Sequence, residues 1–294
     1  MPRNEIMPSM TDDTIEKNRE SAIVIPTSKP INNTRFRRFL VLAAVKLVQK
    51  FPRLYTSNGI FFLSSKVCIK YGGLKTLAEA STMEFIRNNT SIPVPKVFCS
   101  FVHKDCTYIV MERIRGDHIG RGWVRRTPES KARILSQLRS MVAEMRRLTP
   151  TTPRIANVDG GALYDGRIMG PLQFGPFENT NEFHRYLRGG VDANPGYSKG
   201  VNELIAWHDK PWPGTPVFTH GDLSSLNILA DGDKVVGIID WETAGWYPTY
   251  WEYTTAMHVN PQNMFWEKEI DNFLDPMPIE QSMEKIRQQY FGDY

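Results

Sequence analysis

The amino-acid sequence predicts an α+β fold with two lobes, a small antiparallel sheet lobe that carries one helix and a larger, mainly helical lobe. Between residues 60 and 114, β-rich segments separated by turns enclose a single helical segment. Beyond Gly116, apolar residues recur at helical spacing instead. We therefore predict a flexible N-terminal tail over residues 1–33, an N-terminal lobe over 34–114 and a C-terminal lobe over 115–294.

The composition of the 294-residue chain is typical of a soluble globular protein, with 41% hydrophobic and 23% charged residues. The number of cysteines is odd and their spacing does not resemble a metal site, which favours a reducing, cytoplasmic compartment. They are Cys68, Cys99 and Cys106. No apolar run is long enough to span a membrane, and the first residues lack the apolar core of a signal peptide.

Basic residues are concentrated in the first third of the chain. Between Ser21 and Ala78 there are ten Lys or Arg residues and no Asp or Glu, although the net charge of the whole chain is only +4. Such a region is compatible with a polyphosphate ligand, a membrane surface or nucleic acid, and also with a solvated basic face. Nucleic acid is not expected as a partner, because no groove-reading motif or interleaved aromatic residues accompany the charges.

The predicted N-terminal lobe begins with an amphipathic helix within residues 34–51. Its apolar residues follow helical spacing and are expected to pack on the body of the protein: Phe36, Phe39, Leu40, Ala43 and Leu47. Strands at 60–63 and 67–71 form a predicted hairpin, followed by a helix over 76–89 that ends before the prolines of SIPVP. The segments KVFCSF and TYIVMERI are the two further strands of the predicted sheet.

The predicted C-terminal lobe contains a long helix over 128–148, marked by apolar residues at helical spacing. A loop rich in Gly and Pro follows, and a second helix begins near Asn181. A β-hairpin comes next, in which NILA and KVVGIID are the strands and Asp231-Gly232-Asp233 form the turn. The residues from Trp241 onward are aromatic and then helical.

The segment FTHGDLSSLNIL, residues 218–229, holds polar side chains inside an apolar frame. Asp222 and Asn227 lie on a loop that leads into the hairpin and Asp240 ends its second strand, so hairpin pairing brings Asn227 close to Asp240. A carboxylate and an amide oxygen suit a hard cation such as Mg²⁺, which keeps positions for water and phosphate. Asp222, near the metal but not bound to it, is suited to accept a hydroxyl proton as a general base.

Protein kinases use the same arrangement of an aspartate, an asparagine five residues later and a second aspartate after a β-hairpin. In this chain the motif reads HGDLSSLN and then IIDWE, which resembles the phosphotransferase enzyme family of aminoglycoside phosphotransferases and choline-kinase-like proteins. The HGD form, in place of HRD, indicates the small-molecule branch. The segments VCIKYG, NTSIPVPKVF and YIVMERIRGD resemble fungal-type members most closely.

The resemblance implies a bilobal protein-kinase-like fold and a small-molecule kinase that uses ATP and Mg²⁺ and has an alcohol group as acceptor. Asp222 would be the catalytic base, Asn227 and Asp240 would bind Mg²⁺, and His220 would brace the catalytic loop. Lys70 would contact the α- and β-phosphates of ATP.

The resemblance also implies nucleotide contacts from a hinge and a phosphate-covering loop. The hinge between the lobes would offer backbone groups to adenine, from the residues Met111, Glu112 and Ile114. No GxGxxG motif precedes Lys70, so the loop would come from the segment YTSNGIFF, with Ser57, Asn58 and Gly59 at its tip.

A glutamate of the helix after the first hairpin would pair with Lys70, and two residues compete for this role. Glu79, Met83 and Ile86 lie at positions i, i+4 and i+7, so Glu79 shares the inward apolar face. Glu84 lies roughly 140° away around the helix. We therefore assign the pairing to Glu79.

The hydroxylated small-molecule acceptor is expected to bind on the C-terminal lobe, among Gly175 to Phe177, the helix after Asn181, and Trp251 to Tyr253. The charge outside the basic region is negative overall, which favours a cationic acceptor. A fungal-type member is also compatible with a secondary metabolite as the acceptor. The tryptophans of the late aromatic segment either line this pocket or belong to the core.

Two other functions are compatible with such a fold. A catalytically silent nucleotide-binding or scaffold protein would keep the folding residues and lose a catalytic one, whereas Lys70, Asp222, Asn227 and Asp240 are all present. A protein kinase is disfavoured, because the sequence lacks the HRD, DFG and APE motifs.

Overall fold

The small N-terminal lobe is built on a four-stranded antiparallel sheet. The computed structural model describes residues 27–50 and 59–292 of the chain. The strands are β1 (Ile60–Phe62), β2 (Val67–Gly72), β3 (Val97–His103) and β4 (Cys106–Glu112), in the spatial order β1-β2-β4-β3. All four predicted strands of this lobe are present, and β2 lies in the interior of the sheet.

Strand β2 places Lys70 at the centre of the lobe. Lys70 is paired with Ile60 of β1 on one side and with Ile109 of β4 on the other. Because side chains alternate between the faces of a strand, Cys68 belongs to the core between the lobes, whereas Ile69 belongs to a separate core on the outer face. Lys70 has the same orientation as Cys68 and is only 3% exposed.

Helix α2 (Leu77–Asn89) packs on the inner face of the sheet. Its buried residues include Glu79, Met83 and Ile86, whereas Glu84 is exposed, so the predicted inward face is confirmed. The helix ends before the prolines that follow, which lack a backbone N–H and cannot continue it.

Helix α1 (Arg35–Val48) exposes the apolar face that the sequence predicts to be buried. The exposed fractions are 69% for Phe36, 68% for Phe39, 48% for Leu40 and 59% for Leu47, and Ala43 is also exposed. A second stripe packs against the sheet instead, and it consists of Val41, Val45 and Val48.

The prediction of the buried face of α1 was wrong because two apolar stripes of the helix share the same spacing. The outer face of the sheet already carries the large side chains of Phe101 and Tyr108. Short valine side chains let the helix backbone approach such a surface closely, whereas phenylalanine and leucine would hold it away.

The last residues of the predicted tail are attached to the small lobe. The backbone N–H of Ile31 donates to the carbonyl of Ser100 at 3.2 Å, and Ser100 donates back at 2.9 Å. The remainder of the tail, residues 1–26, lies outside the described residues, as does the segment 51–58.

The larger C-terminal lobe contains five α-helices among the described residues. They are α3 (Pro128–Met145), α4 (Thr180–Leu187), α5 (Lys199–His208), α6 (Trp251–Met257) and α7 (Pro278–Phe291). The structure agrees with the predicted helices near 128–148 and after Asn181, whereas α5 has no counterpart in the sequence-based expectations. Within the described part of the chain, no helix has both the length and the apolar character that crossing a membrane requires.

Short strands in the C-terminal lobe position the residues of the predicted site. They are β5 (Asp117–His118), β6 (Leu163–Tyr164), β7 (Gln173–Phe174), β8 (Val217–Thr219), β9 (Ile228–Asp231), β10 (Lys234–Ile238) and β11 (Gly245–Tyr247). The predicted hairpin is β9-β10, and β5 extends it to three strands. Strands β8 and β11 pair with each other. The HGD loop begins directly after β8 and leads into β9.

One apolar core extends across both lobes. It includes Met83 and Ile86 of α2, Leu138 of α3 and Trp241 after β10. The tryptophans of the late aromatic segment are core residues, since Trp241, Trp246 and Trp251 are 1%, 6% and 1% exposed. This shared core orients the small sheet against the β9-β10 hairpin.

Two stacked histidines lie inside the C-terminal lobe. The rings of His184 and His208 are 4.4 Å apart, and Nε2 of His184 lies 2.9 Å from the hydroxyl of Tyr250. Burial lowers the pKa of both imidazoles, to about 4 for His184. Both residues are therefore buried in the neutral form.

We expect the folded state to lose stability between about pH 6.5 and pH 4, because the unfolded chain then takes up protons that the buried histidines resist. For His184 alone this cost is roughly 3 kcal/mol over the interval. Urea unfolding of the wild type and of His184→Gln at pH 7 and pH 4.5 measures it, and the variant should show the shallower pH dependence. Equal pH dependence in both proteins would contradict the assignment, and His103→Gln is the matched control.

Candidate active site

The ammonium group of Lys70 joins the two lobes through three carboxylates. Its Nζ atom lies 2.8 Å from Oε1 of Glu79, 2.5 Å from Oδ1 of Asp240 and 3.0 Å from Oε2 of Glu242. Burial alone would lower the pKa of Lys70, but the three carboxylates raise it above its ordinary value. The ammonium group therefore remains charged although it is almost completely buried.

The carboxylates around Lys70 outnumber the neighbouring cations. Glu79, Asp240 and Glu242 each have an oxygen within 4.8 Å of the other two. The second cation is Lys75, which lies 2.7 Å from Oε2 of Glu242. Three carboxylates thus face two ammonium groups, and burial raises the pKa of Glu79 to about 7 although Lys70 opposes the increase.

Asp240 has a left-handed backbone conformation, with φ 65° and ψ 57°. It lies between β10 and a short 3₁₀ helix over Trp241–Thr243, and the turn directs its carboxylate toward Lys70. The indole N–H of Trp241 stabilises this turn by donating to the carbonyl of Ile238 at 2.9 Å. Non-glycine residues adopt such a conformation at a cost, and strain of this kind is concentrated at functional sites.

His220 connects the HGD loop to the end of the hairpin. The backbone N–H of Asp222 donates to Nδ1 of His220 at 3.1 Å, and Nε2 lies 3.0 Å from the carbonyl of Ile239. Because Nδ1 accepts and Nε2 donates, the ring is the neutral Nε2–H tautomer. Burial lowers the pKa of His220, which preserves this neutral form.

A buried carboxylate on α6 holds the same loop from the other side. Glu252 is 0% exposed and accepts the backbone N–H groups of His220 at 2.7 Å and of Gly221 at 3.0 Å. Gly221 has φ +80°, and a Cβ atom there would lie 3.0 Å from the carbonyl oxygen of Thr243. Glycine fits both the conformation and the space at this position.

Asn227 contacts Asp222 through its amide nitrogen. Nδ2 donates to the backbone oxygen of Asp222 at 2.9 Å and to its Oδ2 atom at 2.7 Å. The backbone N–H of Ile239 donates to the carbonyl of Asn227 at 2.9 Å, which places Asn227 beside Asp240 in the hairpin. Among the described residues, neither Oδ1 of Asn227 nor Oδ2 of Asp240 has a hydrogen-bond partner, and both are hard oxygen ligands suited to Mg²⁺.

A further cation, Arg167, lies against Asp222. Its Nη1 atom is 3.7 Å from Oδ1 of Asp222. Burial raises the pKa of Asp222, and the guanidinium of Arg167 partly offsets that increase. Asp165 holds Arg167 in place by accepting from Nε at 2.9 Å and from Nη2 at 2.7 Å.

The predicted hinge has one unpaired backbone donor. Met111 is buried within β4, and the N–H of Glu112 donates to the carbonyl of Lys96 at 2.9 Å. The N–H of Ile114 has no backbone partner among the described residues. The side chain of Ile114 packs closely on Gly237, because a Cβ atom added to Gly237 would lie 2.6 Å from Cδ1 of Ile114.

A family model described as the phosphotransferase enzyme family matches residues 74–281, more than half of the chain. The chain belongs to the phosphotransferase enzyme family. The matched segment includes Glu79, Asp222, Asn227 and Asp240 and begins shortly after Lys70. No curated protein matches this family member in sequence.

Solved structures of aminoglycoside phosphotransferases are similar to this family member. A thermostable mutant of APH(4)-Ia, in ternary complex with AMP-PNP and hygromycin B, aligns with a TM-score of 0.55 and 16% identity over 84% of this chain and 90% of that chain. The gentamicin complex of APH(2")-IIa aligns with a TM-score of 0.50 and 13% identity over 83% and 85%. The chain has the protein-kinase-like α+β fold of these enzymes.

The structure brings Lys70 and the pairing glutamate Glu79 to Asp240, as the sequence predicts. Asp222 and Asn227 lie together on the adjoining loop. Ser57 and Asn58 of the predicted phosphate-covering loop lie outside the described residues.

Most of the aromatic residues expected near the acceptor belong to the core of this family member. Phe177 packs against Phe183 and Tyr186, with ring centroids 5.5 and 5.2 Å apart. Tyr253 is 5% exposed and belongs to the core that extends across both lobes. Trp251 is also buried, but it borders a small cavity next to Arg167.

Sequence reasoning missed five charged residues of the site. They are Lys75, Asp165, Arg167, Glu242 and Glu252. The IDWE motif contains Glu242, and its position two residues after Asp240 was an available signal. Arg167 and Asp165 belong to a loop without periodicity, far from Asp222 in the chain, so the sequence alone offered no signal for them.

Replacement of Glu252 by glutamine should destabilise the folded state by about 1–3 kcal/mol, because an amide N–H₂ would then face a buried backbone N–H. Urea unfolding at pH 7 measures the change. Glu203→Gln is the matched control, since Glu203 is an exposed glutamate on α5. Equal stability of the Glu252 and Glu203 variants would contradict the role assigned to Glu252.

Proposed function

We propose that the protein is an ATP- and Mg²⁺-dependent phosphotransferase that moves the γ-phosphoryl group to a hydroxyl of a small molecule. The observation that carries this proposal is the convergence of Lys70, from the early sheet, on Asp240, from the late hairpin, at 2.5 Å. Asp222 and Asn227 lie on the loop beside them. Membership of the phosphotransferase enzyme family supports the same conclusion.

In this proposal the N-terminal lobe and the hinge bind the nucleotide. Lys70 contacts the α- and β-phosphates, and Glu79 orients its ammonium group at 2.8 Å. The hinge offers backbone groups of Met111, Glu112 and Ile114 to adenine, and the unpaired N–H of Ile114 is suited to donate to a ring nitrogen. The loop with Ser57 and Asn58 covers the phosphates.

Asn227 and Asp240 are the residues that would hold Mg²⁺, through Oδ1 and Oδ2 respectively. The fit rests on these two oxygens, which lack protein partners among the described residues, and on the group of three carboxylates around Lys70. Bound there, Mg²⁺ would neutralise charge on the phosphates of ATP.

Asp222 is the proposed general base. An acceptor hydroxyl that donates to its carboxylate is oriented toward the γ-phosphorus, and its oxygen forms the new P–O bond as the bond to the ADP oxygen breaks. The hydroxyl proton passes to Asp222. His220 and Glu252 keep the carboxylate in position, so catalysis depends mainly on positioning and electrostatics.

The acceptor in this proposal is a hydroxylated small molecule. Two of the similar structures contain hygromycin B and gentamicin, respectively, which supports a small-molecule acceptor as a class. The segments VCIKYG and NTSIPVPKVF support a fungal-type member, for which a secondary metabolite is a suitable acceptor. The free cysteines Cys68, Cys99 and Cys106 support a reducing, cytoplasmic compartment.

The first test is an ATP-consumption screen against hydroxylated small molecules, followed by Asp222→Asn with any acceptor found. The variant should lose about 10²- to 10⁴-fold in kcat, because the base can no longer take the proton. Its affinity for AMP-PNP with Mg²⁺, measured by calorimetry, should stay within about threefold of the wild type.

Asp231→Asn, at the exposed last residue of β9, is the control and should leave kcat unchanged. Wild-type turnover by Asp222→Asn would refute the base assignment. Saturable nucleotide binding without ATP consumption across the whole screen would favour the catalytically silent alternative.

Replacement of Glu79 by glutamine should weaken AMP-PNP binding by about tenfold, because Lys70 loses its charged partner on α2. Glu84→Gln is a matched control on the exposed face of the same helix and should change affinity by less than about twofold. Calorimetric titration of both variants measures the difference. Equal effects would show that the pairing residue has been assigned to the wrong position.

A further inference from the structure

A cavity of about 370 Å³ borders Asp222 on the C-terminal lobe. Its lining includes Arg167, Ser224, Thr255, His258 and Trp266. A second, smaller cavity of about 90 Å³ shares Arg167, Thr255 and His258 with it. The pair of cavities is therefore the space beside the proposed base into which an acceptor fits.

Arg167 directs one edge of its guanidinium toward this space. Nε and Nη2 are occupied by Asp165, and Nη2 also donates to the carbonyl of Gly221 at 2.6 Å. Nη1 has no hydrogen bond within the described chain and has only the 3.7 Å ion pair with Asp222. Asp165 is 2% exposed, so the clamp that orients Arg167 is itself buried.

The other carboxylates that border the two cavities are already neutralised. Asp165 is paired with Arg167, and Glu284 is paired with Arg287 at 2.7 Å. Among the described lining residues, Asp222 is the one carboxylate without an arginine in direct hydrogen-bond contact. Apart from Asp222, the cavities consequently offer no spare carboxylate to an ammonium group.

Hydrogen-bond donors remain available instead. The indole N–H of Trp251, which borders the smaller cavity, is buried and has no partner among the described residues. An indole nitrogen can only donate, and Nη1 of Arg167 can only donate as well. Such a lining is complementary to an acceptor rich in oxygen and negatively charged, and like-charge contact disfavours a cation next to Arg167.

We propose that the acceptor is a hydroxy acid, with its hydroxyl on Asp222 and its carboxylate on Nη1 of Arg167. This inference rests on the proposed phosphotransferase function and names the substrate class of the same site. The separation of 3.7 Å between Nη1 and Oδ1 places both recognition points within reach of a hydroxyl and a carboxylate on the same or neighbouring carbon atoms. Arg167 is then the residue that determines acceptor specificity.

The structure thus distinguishes this chain from a polyamine-binding kinase. An aminoglycoside carries several ammonium groups, and each would need a carboxylate that these cavities use for arginine. The guanidinium of Arg167 would repel an ammonium group placed beside its Nη1 atom, although Asp222 could still accept the ligand's hydroxyl.

The test is an ADP-release assay with matched acceptors. The acids are glycerate, malate, 3-hydroxybutyrate and quinate, each is compared with its methyl ester, and ethanolamine and kanamycin are the cationic probes. Wild type, Arg167→Gln and Arg167→Lys are assayed, with Arg185→Gln as a control at an exposed arginine. Thermal unfolding verifies that each variant is folded.

We expect the wild type to prefer an acid over its ester by about 10- to 100-fold in kcat/KM, the range of one charge-assisted hydrogen bond. Arg167→Gln should abolish this preference by lowering kcat/KM for the acid while kcat/KM for the ester stays the same. Arg167→Lys should keep part of the preference. An equal loss of kcat/KM for acids, esters and amines would show that Arg167 acts on the phosphoryl group or supports the loop. That result would overturn its role in acceptor specificity.

The outcomes separate this inference from the function on which it rests. Turnover of amines or esters in preference to acids would leave the phosphotransferase proposal standing and refute the hydroxy-acid acceptor. If no compound of the panel is consumed, calorimetric titration of the acids into the protein loaded with AMP-PNP and Mg²⁺ decides the acceptor class. Saturable binding that weakens about tenfold in Arg167→Gln supports the inference, and absence of binding to the wild type refutes it.

Discussion

The arrangement of the cleft depends on one buried ammonium group. Lys70 is 3% exposed, and a buried charge without partners would cost several kcal/mol. Its partners come from α2, from the end of β10 and from the 3₁₀ turn that follows, so a shift in any of these elements would remove part of the compensation of the charge. In the proposed function, Lys70 would contact phosphate oxygens and Asp240 would hold Mg²⁺ in place of the contact that the two residues now make with each other. Nucleotide binding would then exchange the partners of charges that are already assembled.

The loop that carries Asp222 is held by buried groups, some from neighbouring elements and some from the loop itself. Glu252 accepts two consecutive backbone N–H groups and His220 connects the loop to Ile239, while Asn227 binds both the backbone and the carboxylate of Asp222. These contacts come from α6, from the hairpin and from the loop itself. A segment without regular secondary structure is thereby fixed by the packed elements around it, as the proposed role of Asp222 as a base would require.

Local patterns predicted the elements that local physics determines. The strands around Lys70, the inward face of α2 with Glu79, and the β9-β10 hairpin each depend on side-chain periodicity or turn chemistry within a short segment. The buried face of α1 could not be predicted, because two stripes have the same period and the choice depends on the distant rings of Phe101 and Tyr108. Arg167 and Glu252 could not be predicted for a similar reason, since their contacts to the HGD loop bridge 54 and 31 or 32 positions of the chain and leave no periodic trace.

The backbone of Asp240 restricts which amino acids can replace it. Few residues other than glycine tolerate the left-handed region, and aspartate and asparagine are among those that do. Asparagine would thus preserve the shape of the turn while it removes the charge next to Lys70. Glycine would relax the turn and remove the side chain altogether. Because of these dihedral angles, two variants, Asp240→Asn and Asp240→Gly, are enough to separate the electrostatic contribution of the position from its conformational contribution.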